Sequence, residues 1–233
     1  MKLLRSLTLA AALLVVGSVA ATAQQSKMIF DGTATGWNDG QYIVGTYMAS
    51  YYPGGPQIDV YCVDFYHQVS YGQQWTANFS NLATSNLSLT RLGLSGDPAA
   101  LVKYEEEAWL ASQFAANYDQ NDWVGIAHVM WNLTSGNPNL IATSDPYYTY
   151  DSKWWNKAMA QAQVTNFGLN LAEWSVVTDV DAKGETYYPG PDGTDGTQEF
   201  LTRTVTPEPA TLVLLGTGLL GLLGVGFVKR TIV

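Results

Sequence analysis

The last charge-free stretch limits this chain more than any other feature. Ala210 to Val228 carries no ionisable side chain, and Lys229 and Arg230 follow directly. As a helix rising about 1.5 Å per residue, such a run spans about 28 Å, close to the hydrocarbon thickness of a bilayer. The basic pair stays on the cytoplasmic side under the positive-inside rule, which places the preceding chain on the other side. The N-terminus reads the same way. Lys2 and Arg5 form a basic region, Leu7 to Val19 an apolar one, and Ala21-Thr22-Ala23 a small-x-small cleavage site. Residues 1–23 are therefore expected to be a signal peptide cut between Ala23 and Gln24. A first transmembrane anchor is the alternative; the short apolar run, broken by small residues near its end, favours cleavage.

Immediately before the apolar run stands Pro207-Glu208-Pro209, and glycines recur through it at 216, 218, 221, 224 and 226. The tripeptide, the spanning segment at 210–228 and the basic anchor Lys229-Arg230, in that order over 205–230, resemble the PEP-CTERM sorting signal. The resemblance implies that an exosortase recognises the tail and that the protein, anchored in the inner membrane before processing, is cut near Pro207-Glu208-Pro209. It then passes to the cell surface or is secreted. An ordinary tail-anchored membrane protein is the competing reading.

The exported body, residues 24–204, is long enough for one domain with a core of its own. Setting aside Lys2, Arg5, Lys229, Arg230 and Glu208 leaves it 7 basic against 19 acidic side chains, a formal charge of −12. Such a surface repels nucleic acid and anionic lipid heads, so no nucleic-acid partner is expected. There is a single cysteine, Cys62. An exported chain with one cysteine has no internal disulfide, so Cys62 is a buried small hydrophobe, an intermolecular crosslinker or a reactive group.

Residues 28–71 read as strands and turns. Ile58 to Val69 alternates with neither face cleanly polar, which predicts a central strand with Ile58, Val60, Cys62 and Asp64 on one face. The Asn-, Ser- and Thr-rich stretch 76–98 reads as a long excursion. Asp97-Pro98 predicts a helix start, with Asp97 as N-cap and Glu105-Glu106-Glu107 as a solvated face. Trp123, Ile126, Ala127, Met130 and Trp131 predict a second helix ending near Ser135-Gly136, and 152–166 a third. Trp174–Val180 and Glu199–Val205 read as closing strands. The expected fold is α+β: a β-sandwich or barrel built from both ends of the body, with a helical insertion at about 97–166. An N-terminal signal peptide and one C-terminal transmembrane helix flank it.

A Tyr-Cys-Val-Asp strand, a helix with Ala108-Trp109-Leu110-Ala111 and a helix ending at Trp131, in that order over 58–135, resemble the thioester domain of bacterial surface adhesins. The resemblance implies a cysteine at position 62 condensing with a glutamine four residues before the tryptophan to form a stored electrophile. That position holds Ala127, which has no carbonyl side chain. The site at Cys62 and Ala127 therefore reads as degenerate, with Cys62 quiet; Gln113 is the first substitute to consider and Gln120 another.

Other candidates are His67 and His128, in a two-histidine zinc site with Asp64 or Cys62 or in a Cys62–His128 dyad, and two acidic loops, Asp179-Val-Asp181 and Asp192/Asp195. None has a complete donor set, so no catalytic residue, metal or cofactor is assigned. Eight tryptophans and fourteen tyrosines are available for the core first and for stacking on glycans second. The expected function is a non-enzymatic exported surface or matrix protein, handled by an exosortase and adhesive in a biofilm or exopolysaccharide setting, with cell-surface ligands as partners. A covalent adhesin or an enzyme using Cys62 is the alternative.

Overall fold

A computed structural model describes residues 24–204 apart from 35, 39, 85, 116–118 and 184–195. The expected signal peptide with Ala23, the sorting tripeptide, the segment 210–228 expected to span the membrane with its basic pair, and the Asp192/Asp195 loop lie outside the described residues. Among those described, no helix is long and apolar enough to cross a membrane.

Six antiparallel strands close into a barrel. β1 (Gln24–Thr33) pairs with β4 (Tyr47–Tyr51) on one side and β6 (Gln74–Asn81) on the other. β5 (Gln57–Cys62) joins β4 to β8 (Phe200–Arg203), and β7 (Trp174–Asp179) joins β8 back to β6. Among the described residues, closure leaves the barrel itself no unpaired edge to template aggregation. The two short strands β2 (Trp37–Asn38) and β3 (Ile43–Val44) form a separate ribbon. The expected choice between sandwich and barrel thus resolves to a barrel. Phe30, Tyr47, Trp75 and Phe200 pack their rings together within it, with centroids 5.9–6.3 Å apart, a spacing at which tilted and offset aromatic pairs attract.

The strand expected over 58–69 stops at Cys62. It is central as expected, because β4 and β8 use both of its edges. The stretch read as an excursion from 76 opens instead with β6. Its Asn78 and Ser80 are buried, and the polar composition hid the strand. Pairing with β1 and β7 on both edges satisfies its backbone, and Gln25 Nε2 donates to Asn78 Oδ1 at 3.1 Å.

The helices fall between β6 and β7, as an insertion. α1 (Arg91–Leu94) is capped by Thr90, whose hydroxyl accepts from the Gly93 N–H. α2 (Ala100–Gln113) begins later than expected. Ala99 is its N-cap, while Asp97 accepts from the Ala99 N–H at 2.8 Å and pairs with Lys103. α3 (Gln120–Ser135) starts at the Asp119 cap and ends at Gly136, whose φ of 63° is the left-handed C-cap glycine tolerates. α4 (Tyr148–Gln161) begins before 152 and stops before 166.

Glu105, Glu106 and Glu107 are all buried, which overturns the solvated face. Three consecutive helical residues span about 200° of arc, so they cannot share one wet stripe. α2 also lies against both β8 and α3, which encloses most of its circumference. Trp131 is buried as its helical spacing predicts, whereas Trp109 is only partly covered, its ring 6.4 Å from that of Trp154.

Candidate functional site

Cys62 ends β5 opposite Phe200 of β8, so the two side chains share a face of the barrel. The pairing runs one step further, with the Val63 N–H donating to the Glu199 carbonyl at 3.2 Å. Gln198 comes next on that side, and its amide folds back onto the cysteine. Gln198 Nε2 lies 2.7 Å from Cys62 Sγ and 3.0 Å from the Asp64 carbonyl. Gly196 (φ 89°) helps to pin the approach to Gln198: a Cβ there would stand 3.1 Å from the Ala182 nitrogen and 3.2 Å from Asp179 Cβ. From α3, Trp131 donates its indole N–H to the same sulfur at 3.2 Å. The thiol donates to the Asp64 carbonyl at 3.3 Å. Burial raises the Cys62 thiol pKa far above its ordinary value, with the Asp64 charge adding to the effect. The sulfur is therefore held as a protonated thiol against an amide, enclosed from water.

This is not the arrangement expected from sequence. Ala127 is buried in α3 and offers no acyl group. The Gln113 amide donates to Ser112 Oγ and the Trp109 carbonyl, and Gln120 is exposed at the start of α3. The glutamine at the sulfur is Gln198, 136 residues away in sequence. Its signal was its place at the entrance of the closing strand, which becomes informative only once that strand is paired with β5.

Asp64 organises the surroundings. Its Oδ2 lies 2.9 Å from Arg91 Nε and 2.6 Å from His67 Nδ1, at ion-pair distance without the alignment of hydrogen bonds. Its Oδ1 accepts from the Tyr66 and His67 backbone N–H groups. Burial alone would push the Asp64 carboxyl up, but His67 and Arg91 together hold it below its ordinary value. Behind it, Glu199 accepts from Tyr104, Thr178 and the Arg91 backbone, and burial raises its pKa. Glu107 is fully buried and its pKa is raised well above the usual carboxylate range, by desolvation first and then by Glu199 and Glu106. A groove of about 480 Å³ opens beside this cluster, lined among others by Phe30, Tyr42, Phe65, His67, Trp131 and Gln198.

The remaining candidates separate. His67 is committed to Asp64, and His128 lies 3.2 Å from Asp151 on α4, so no two-histidine zinc site assembles. Nor does a Cys62–His128 dyad: the sulfur's partners are Asp64, Trp131 and Gln198. Among the described residues, one cluster has metal-ligand spacing: His128, Asp145 and Asp151, with ligand atoms within 4.8 Å of one another. Asp179 uses both carboxylate oxygens on the Asp181 and Thr197 backbone N–H groups, which makes it a loop closure.

Residues 205–230 match the PEP-CTERM protein-sorting motif. No curated protein and no solved structure matches the chain.

Proposed function

We propose, starting from a chain that carries an exosortase sorting signal, that the exported body is a covalent attachment module built on an internal thioester between Cys62 and Gln198. The motif marks an exported protein, membrane-anchored before an exosortase processes it. The observation that carries the finer reading is the Gln198 amide resting 2.7 Å from the Cys62 sulfur. Condensation forms an Sγ–Cδ bond and breaks the Cδ–Nε2 bond, and the thiol proton leaves with the nitrogen as ammonia. No oxidant or reductant is needed. The sulfur lies buried at the end of a closed barrel under the Trp131 indole, which shields one side of a bond that water would hydrolyse. A nucleophile reaching the site through the groove then takes the Gln198 acyl group and restores the thiol.

Each bond is spent once, so the protein acts as a crosslinker without turnover. The acidic, aromatic-rich body, delivered to the cell surface or the surrounding matrix, fits adhesion within an exopolysaccharide layer. The competing reading is a non-covalent matrix protein in which Cys62 stays inert behind its raised pKa.

Intact mass of the exported protein separates the two. A thioester lowers the mass by about 17 Da, that of the ammonia expelled, and couples to methylamine. Cys62→Ser and Gln198→Ala each restore the unmodified mass and abolish coupling. A wild-type protein of unmodified mass that takes up no methylamine sinks the thioester reading.

A further inference from the structure

We propose, resting on the thioester reading, that His67 is a general base that directs the Cys62–Gln198 acyl group to hydroxyl nucleophiles, and that carbohydrate is the class of molecule attached. The argument begins with an unsatisfied atom. His67 is 5 % exposed, and neither buried ring nitrogen makes an aligned hydrogen bond: Nδ1 has the Asp64 carboxylate 2.6 Å away, and Nε2 faces no partner. Leaving a buried polar nitrogen unpaired carries a desolvation cost, so such a group calls for an explanation. The negative charge of the Asp64 carboxylate, 2.6 Å from Nδ1, favours a proton on that nitrogen by charge rather than by an aligned hydrogen bond, and leaves the lone pair on Nε2. A carboxylate orienting an imidazole whose other nitrogen is free to accept a proton is the arrangement that activates a weak nucleophile.

Asp64 ties this pair to the acyl chemistry. Its backbone carbonyl accepts from both Cys62 Sγ and Gln198 Nε2, while its side chain holds His67. One residue thus sets the position of the base relative to the bond it serves. His67 and Gln198 line the same groove. An unprotonated amine is nucleophilic enough to open a thioester unaided. A hydroxyl must lose its proton as it attacks, and that is the service a buried histidine base supplies. The proton passes from the hydroxyl to Nε2 and then to the departing sulfur, an ester forms at Gln198 Cδ, and the Cys62 thiol is regenerated.

The walls suit a sugar. Tyr42 packs edge-on against both Phe65 and Trp131, with centroids 5.3 and 5.6 Å away, which gives rigid ring edges and faces rather than flexible chains. Aromatic surface with a polar end stacks on pyranose rings, and about 480 Å³ lies within the range of small-ligand pockets. The body's formal charge of −12 disfavours anionic ligands and leaves neutral carbohydrate unaffected.

The test uses the exported protein, wild type and His67→Gln, with maltotriose and methylamine as probes and intact mass as the readout. The expected result is a hydroxylamine-labile maltotriose adduct on the wild type. In His67→Gln its rate falls on the order of a hundredfold, the lower end of general-base effects, while methylamine coupling changes less than about threefold. His67→Ala with added imidazole regains ester formation. Three outcomes overturn the proposal: a wild type that couples methylamine but no maltotriose, a His67→Gln protein that transfers to both at wild-type rates, or one that loses both in parallel, which makes His67 structural. The wild-type arm decides even if the variants do not fold. Absence of both the mass loss and methylamine coupling in the wild type instead refutes the thioester itself.

Discussion

Replacing Glu106 by glutamine tests the buried acid cluster of α2 directly. Glu106 is 4 % exposed, and its Oε1 has no hydrogen-bond partner. Burial pushes its carboxyl from 4.5 up to about 7. The folded carboxyl therefore titrates above the unfolded one, and the native state holds more protons between those values. The stability involved is fully present below about pH 4.5 and is lost as pH rises through about 7. At about 1.4 kcal/mol per pH unit over that window the loss would reach ~3.5 kcal/mol. Solvent screening then brings the expected figure to about 2 kcal/mol. Glutamine has no such titration. Urea unfolding of wild type and Glu106→Gln should give similar stabilities at pH 4.5, with the variant about 2 kcal/mol more stable at pH 8. Both proteins keep a residual slope, because Glu107 and Glu199 are also raised. A difference that stays constant across pH would refute the reasoning, because Glu106 would then ionise as it does in the unfolded chain.

Trp131→Ala should cost about 3–5 kcal/mol in chemical unfolding, and Trp109→Ala about 1–2 kcal/mol, because only the former is fully enclosed. Equal losses would contradict the burial difference. Gly125→Ala places a Cβ 2.7–2.8 Å from the Tyr150 carbonyl group, where α3 crosses α4, and should lower stability by about 1–3 kcal/mol, read as a drop in Tm. An unchanged Tm would mean that the helices part without penalty. In an exosortase-positive host, antibodies to the body and to the tail should mark different fractions, since the sorting motif spans residues 205–230. If both antibodies follow one full-length inner-membrane band, processing near Pro207-Glu208-Pro209 does not occur.

The sorting motif was legible in the sequence because it is local. Pro207-Glu208-Pro209, the charge-free run and Lys229-Arg230 are contiguous, and their order carries the information with no folded neighbour required. Much of the architecture was legible for the same reason. Helical spacing around Trp131 and the β-rich segments at 58–62, 174–179 and 200–203 are properties of short windows. Legibility failed where a residue's state depends on distant chain. Glu105–Glu107 look solvated by composition, yet α2 is enclosed by α3 and β8. Asn78 and Ser80 look like loop residues, yet β1 and β7 pair their backbone on both sides. The candidate site is the clearest case. The sequence singles out Cys62 and the Trp131 helix, and holds Ala127 where the resemblance calls for a glutamine. Only antiparallel pairing of β5 with β8, two strands separated by most of the domain, sets Gln198 against the sulfur, and only the fold of the chain after Cys62 sets His67 against the Asp64 carboxylate. A single sequence carries residue identities and local periods; which side chains face one another is decided by strand register and helix docking.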